Sequence, residues 1–289
     1  MNSRGRKIYS LLALTLAGCY IGGERKVTNV ARTWPATQIK RIEVREIDGT
    51  INVHAGAPEN VLLNAQISTY GGKNKDEQQL HADLEGDTLV IGRRERRVHI
   101  GFFHWKEPRI DYDLSVPPGV DLKLSTVNGR IATRGIAGET AATTVNGSLD
   151  LECDGTKELT AKSVNGRIAC TFKKDFQGAT LKTVNGRVVA ALPPSASFYG
   201  DFTQVNGDFE AAFPLDIHSH PGSRRVSGEV NGGKYELKIS TVNGDIKVEN
   251  LGPLPVPPVP PAAPAPLGTN PIPPQMPAPV PPPPPAPRT

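Results

Sequence analysis

The tripeptide Val-Asn-Gly occurs seven times in this chain, with its asparagines at 128, 146, 165, 185, 206, 231 and 243. The first four intervals run 18, 19, 20 and 21 residues. The last two, 25 and 12, together span close to two ordinary repeats. Asn231 therefore reads as off register, beside an insertion around residues 214–225. Ile47-Asp48-Gly49-Thr50-Ile51 looks like one earlier, isolated copy. A near-constant period of this length means one small structural unit repeated, each copy burying its apolar face against the next.

Asn-Gly between β-branched residues is a turn signal, because both residues tolerate positive φ. Two architectures use such a signal, a stack of hairpins or a β-solenoid with one corner per coil. A two-residue hairpin would put every Val on the polar side, whereas a solenoid corner lets Val point inward. The aligned columns favour the solenoid. Three after Asn stand Ile131, Leu149, Ile168, Val188, Phe209 and Ile246. Five after stand Thr133, Leu151, Cys170, Ala190, Ala211 and Val248, and four before stand Leu124, Ala142, Ala161, Leu181, Phe202 and Ile239. Alternate positions are polar, the period of two that strands require. The expectation is an all-β, right-handed parallel β-helix-like solenoid, with Val inward. Asn128, Asn146, Asn165, Asn185, Asn206 and Asn243 would stack at the corners as a hydrogen-bonded ladder.

Cys153 and Cys170 fall on neighbouring coils but diagonally. Diagonal cross-strand neighbours lie about 7–8 Å apart, beyond the ~3.5–4.5 Å a disulfide asks of its Cβ atoms. Two buried thiols are the favoured reading, and a one-rung register shift would instead permit a bridge. Less regular strands are expected before the repeats, at residues 39–45, 51–54, 61–69, 80–84, 88–93 and 110–116. The expected domain is a single β unit over 38–252, with regular coils from about residue 120.

Composition separates the termini from this domain. Of 28 prolines, 19 lie in residues 253–289, including the unbroken run Pro281–Pro285. Such a segment builds no core. Its expected state is disordered or polyproline II, an inert spacer or a ligand for an aromatic groove. At the other end, Arg4, Arg6 and Lys7 precede an apolar run from Ile8 that closes on Leu16-Ala17-Gly18-Cys19. This reads as an export signal over 1–18 rather than a membrane span. The closing tetrapeptide resembles the bacterial lipobox, which implies lipidation of Cys19, with 19–37 a linker. The formal charge of +4 includes those three basic residues. Without them the chain is nearly neutral, so no nucleic-acid partner is expected.

The run Tyr112-Asp-Leu-Ser-Val-Pro-Pro-Gly119, then Leu122-Lys-Leu-Ser-Thr-Val-Asn-Gly129-Arg-Ile131 and the serial Thr-Val-Asn-Gly units, resembles the candidate-adhesin family of bacterial envelope proteins. That family is a domain of unknown function built of β-strand repeats. The resemblance covers roughly residues 39–248. It implies a right-handed β-helix-like domain, an envelope location and no catalytic residues. Relatives often carry Asn-Gly-Asp at the corner. Here Asp stands only at Asp208 and Asp245, and Arg130, Arg167 and Arg187 replace it elsewhere.

The residues suggest little chemistry. Asp208 and Asp245 match in position, but consecutive stacking places them about two coils apart. Asp150 and Asp154 have no evident partner. His218 and His220 lack a third metal donor, so no metal or cofactor is expected. Arg130, Arg167 and Arg187 form either a stripe for anionic ligands or a charged solvent face. The segment Arg93–Arg97 with Phe102–Lys106 reads as a cap on the solenoid or a membrane- or partner-facing patch. The leading expectation is a lipid-anchored, non-enzymatic envelope scaffold or adhesion module, outside the cytoplasm, meeting a glycan or protein partner. The alternatives are a polysaccharide-active enzyme on a β-helix, or an envelope-stress regulator working through a partner.

Overall fold

The computed structural model describes residues 25–70, 80–93, 108–155, 157–215 and 225–252. All lie in the first of the two units into which the chain divides, which ends at Pro253. Residues 1–24 and 253–289, with the expected signal, Cys19 and Pro-rich tail, fall outside the described residues, as do His218, His220, Arg94–Arg97 and Phe102–Lys106.

The irregular N-terminal part supplies β1 (Arg25–Pro35), β2 (Arg41–Arg45), β3 (Ile51–Ala55), β4 (Asn60–Tyr70), β5 (Leu80–Glu85), β6 (Thr88–Arg93) and β7 (Arg109–Val116). The regular coils come next as β8 (Asp121–Asn128), β9 (Ile131–Ile136), β10 (Thr140–Asn146), β11 (Leu149–Cys153), β12 (Leu159–Asn165), β13 (Ile168–Phe172), β14 (Ala179–Lys182) and β15 (Val188–Leu192). The last part is β16 (Phe198–Asn206), β17 (Phe209–Ala211), β18 (Arg225–Val230), β19 (Tyr235–Asn243) and β20 (Ile246–Asn250). Residues 25–35, assigned from sequence to a linker, are a strand paired along its whole length with β4.

Each coil contributes one strand to each of two ten-stranded sheets, turning from one to the other at Val-Asn-Gly. Between neighbouring coils the strands are parallel and the columns align. Leu149 pairs with Ile131 and Ile168, and Ala142 with Leu124 and Ala161. Along β11, β13 and β14 burial alternates strictly, so one face of each sheet meets the core and the other meets water. All three columns anticipated from sequence are buried, except that Phe209 and Ala211 on β17 are only partly covered.

The order of coils in space differs from their order in the chain. Running along the stack, the coils are β6–β7, β2–β3, β8–β9, β10–β11, β12–β13, β14–β15, β19–β20 and β16–β17. At each end a coil is slipped between two others that are consecutive in the chain: β2–β3 between β6–β7 and β8–β9, and β19–β20 between β14–β15 and β16–β17. Antiparallel strands close both ends: β1 and β4 on one sheet and β5 on the other at the N-terminal end, and β18 beside β16 at the C-terminal end. A parallel stack cut off square would expose rows of unpaired backbone groups. Antiparallel strands and a three-residue β17 leave less of that template exposed.

The C-terminal end is filled by aromatic rings. Phe176 meets Phe172, Phe198 and Tyr235 edge-on, with centroids 5.0 to 6.4 Å apart, and Phe198 meets Phe213 at 5.4 Å. Phe202 lies over Gly200, where a Cβ would come within 2.4 Å of its ring.

Candidate functional site

The corner is built from four residues with separate tasks. Glycine permits the close approach of coils. A Cβ on Gly147 would stand 1.8 Å from the Gly129 carbonyl oxygen, and one on Gly166 would stand 1.8 Å from that of Gly147. At Gly129, Gly147, Gly166 and Gly186 the backbone has no positive φ, whereas Gly207 stands at φ 137° and Gly244 at φ 155°. None of the stacked asparagines has positive φ, and among the described residues the single non-glycine residue that does, Asn231, sits off the stack. Asn-Gly at these corners thus reports stacking rather than a hairpin turn.

The preceding Thr or Ser is buried and donates across the rung. Thr144, Ser163, Thr183 and Thr241 bond the carbonyls of Gly129, Gly147, Gly166 and Gly186 at 3.2–3.4 Å. Nothing in the sequence reading identified this hydroxyl row, although its signal, a Thr or Ser before most Val-Asn-Gly units, was visible. On the first rung Glu46 takes the same position. Its buried carboxylate accepts from Arg93 at 2.7 Å, the Tyr112 hydroxyl at 2.7 Å and the Ile47 N–H at 2.8 Å. Burial, with the adjacent Glu46 charge, pushes the Tyr112 phenol far up, which keeps it a donor.

The asparagine side chains run in a chain of amide bonds. Asn146 donates to Asn128 at 2.9 Å, Asn165 to Asn146 at 3.0 Å and Asn185 to Asn165 at 2.8 Å. Asn243, not Asn206, comes next, donating to Asn185 at 2.8 Å, and Asn206 donates to Asn243 at 2.8 Å. At the other end Asn128 donates to Asp48 at 2.9 Å. Asn231 instead donates to the Pro194 and Ala196 carbonyls.

The valines do not point inward. Ile47, Val127, Val145, Val164, Val184, Val242 and Val205 are 38–46% exposed. The corner leaves room inside only for the hydroxyl before Val and the aliphatic residue three after Asn, and strand alternation turns Val outward. Seven rungs about 4.8 Å apart make an aliphatic row about 30 Å long beside the amide row.

Two after Asn, the three arginines differ from one another. Arg130 pairs with Asp150 at 2.7 Å and Arg187 with Asp245 at 2.7 Å. Arg167 is exposed and has no ion-pair partner among the described residues. Arg187 and the Asp208 backbone N–H hold the Asp245 carboxyl below the usual carboxylate range. Asp150 is thus partnered, and so is Asp154, by Lys174 at 2.8 Å. Asp208 and Asp245, expected two coils apart, lie on adjacent rungs because β20 is the neighbour of β17. Cys153 and Cys170 are buried and not joined by a disulfide, and they stand out of register, opposite Phe172 and Leu151. Burial pushes the Cys170 thiol well up, which disfavours the reactive thiolate.

Among the described residues no three His, Cys, Asp or Glu side chains are grouped to hold a metal ion, and no helix is long and apolar enough to cross a membrane. The corner edge is therefore the candidate site: an aliphatic row, an amide row and a row of paired charges, repeating at one period.

No curated protein matches this chain. Among solved structures, a candidate cell-adhesion protein from Clostridium sporogenes ATCC 15579 is similar at 11% identity and TM-score 0.44, covering 78% of this chain and 100% of that one. A candidate adhesin from Bacteroides fragilis NCTC 9343 is similar at 10% identity and TM-score 0.32, covering 76% and 97%. A candidate lipid-binding protein from Parabacteroides distasonis ATCC 8503 is similar at 12% identity and TM-score 0.30, covering 76% and 96%. The family model described as Toastrack DUF4097 matches residues 33–249, the whole run of stacked coils, and the chain belongs to that family.

Proposed function

We propose that this chain is a lipid-anchored, non-enzymatic binding module of the bacterial envelope, acting as a scaffold or in adhesion, with the corner edge as its contact face. The observation that carries the reading is the exposed aliphatic row. A Thr or Lys would fit the outward position without disturbing the core, yet all six stacked Val-Asn-Gly corners and Ile47 keep a branched apolar side chain there. A continuous exposed apolar strip beside ordered amides is the character of a contact surface. Its straight period suits an extended polymer, such as an envelope glycan or a strand of a protein partner.

The anchor in this reading is Cys19. Strand β1 begins at Arg25, only six residues later. At about 3.3–3.6 Å per residue, that tether reaches roughly 20 Å, so the N-terminal strand would be held close to the bilayer, outside the cytoplasm.

The test uses the full chain, its Cys19→Ser variant and a Val145→Lys/Val164→Lys/Val184→Lys variant, with isolated envelope polymers as probes. Saturable binding without polymer cleavage is expected, lost in the triple-lysine protein at unchanged stability. Cys19→Ser should leave the membrane fraction. Polymer turnover, or binding untouched by the three lysines, overturns the reading.

A further inference from the structure

We infer that the rungs of Asn165 and Asn185 form an anion-binding site, and that the polymer seated on the corner edge is an acidic polysaccharide. The inference deepens the contact-face reading and rests on it.

From Leu159 to Phe172 and from Ala179 to Leu192 the chain holds Lys162, Arg167, Lys182 and Arg187 and no Asp or Glu. On other rungs a lysine of the outer face lies opposite a carboxylate. Lys123 stands 3.0 Å from Glu43, Lys238 3.7 Å from Asp201 and Lys247 3.5 Å from Glu210. Here that pattern breaks. Lys162 is paired in register with Lys182. Arg167 and Arg187 share a column, one residue before the paired Ile168 and Val188. Arg187 meets Asp245, but Lys162, Lys182 and Arg167 are exposed and have no ion-pair partner among the described residues. Like charges on strands about 4.8 Å apart repel. The fold carries that repulsion beside the corner, and a bound anion would relieve it.

The cations flank the corner on both sides. Lys162 and Lys182 stand two residues before the exposed Val164 and Val184, on the same outer face, and Arg167 and Arg187 stand two after the asparagines. Between them run the aliphatic and amide rows. The lysine column continues in hydroxyls, Thr143 and Ser125 one way and Ser240 and Thr203 the other. Acidic sugar rings suit this arrangement. Their C–H faces lie on valine, their hydroxyls meet amides and hydroxyls, and their acid groups take charge-assisted bonds from Lys and Arg. A membrane surface or single-stranded nucleic acid would call for exposed aromatic rings, and these rows hold none. A lysine in place of Val164 would fill the seat of the ring, so charge added there does not substitute for the valine.

The test uses the full chain carrying Cys19→Ser, so that no anchor adds affinity. The probes are polygalacturonate, for carboxylate, and poly(glycerol phosphate), for phosphate, with neutral dextran and phosphatidylglycerol vesicles for comparison. At least one acidic polymer should bind, and its affinity should fall about tenfold or more from about 0.05 M to about 0.5 M salt. Lys162→Glu/Lys182→Glu should lower it by about tenfold or more. Lys182→Glu alone sets a carboxylate opposite Lys162, so it should weaken binding yet melt no earlier than the parent. Lys40→Glu/Lys247→Glu makes the same charge change elsewhere and should bind as the parent does. Equal loss in that control, dextran binding as tightly and as insensitively to salt, or binding to vesicles alone overturns the inference. Of these, dextran binding leaves the contact face standing, whereas no binding to any polymer overturns both.

Discussion

Gly166 and Gly119 separate the two reasons a β protein keeps glycine. A Cβ on Gly166 meets a fixed backbone oxygen of the neighbouring coil, whereas one on Gly119 meets nothing within 4 Å, and Gly119 has no positive φ. Gly166→Ala should destabilise by about 3 kcal/mol or more, since neither backbone can yield without moving a whole coil. Gly119→Ala should be neutral or add up to about 1 kcal/mol by restricting the unfolded chain. Denaturant melts of the two variants check this, and equal effects would contradict the close-approach account. The same scale explains why the valine orientation was missed. Hydropathy alone makes Val an inward residue, and only the buried hydroxyl before it shows which side of the corner is full.

Elements were legible where two parallel neighbours repeat the same column. Strands β2, β3 and β8 to β15 are readable from their period-2 pattern because each lies between two parallel neighbours that cover its inward positions. Strands β1 and β18 were not legible. Each has a single partner and few buried residues, Val30 and Trp34 in β1 and Val230 in β18 among the apolar ones, so the periodic signal is thin. Along the outer faces, rungs are tied by ion pairs whose pH dependence is fixed by sign. The Asp245 carboxyl is a stronger acid folded than unfolded, because Arg187 bonds its charged form. Its stabilisation is present above the ordinary carboxylate range and is lost as pH falls through its depressed folded value. Asp245→Asn should therefore lower stability at neutral pH by a small amount and remove that same amount from the acid-induced loss. Acid unfolding curves of the two proteins read this, and superimposable acid limbs would mean that the pair contributes nothing.

The order of coils is a property of the whole molecule. Val189 lies beside Lys247 on the adjacent coil, whereas Glu210, from the next coil in sequence, lies beyond it. Val189→Cys with Lys247→Cys should form a disulfide under mild oxidation. Val189→Cys with Glu210→Cys should not, since two rungs span about 9.6 Å, beyond the ~7 Å Cα limit for a bridge. Gel mobility before and after reduction distinguishes them, and the reverse result would restore sequential stacking. Sequence by itself determined what each rung contains: the inward columns, the polar outer face and the residues of the corner, because strand alternation and the repeat act within a coil. It did not determine which rung lies next to which. Every Val-Asn-Gly corner is complementary to every other, so local interactions cannot tell Asn206 from Asn243 as the neighbour of Asn185. That choice was made by the tertiary structure, where β18 pairs with β16 and places the β16–β17 coil at the end.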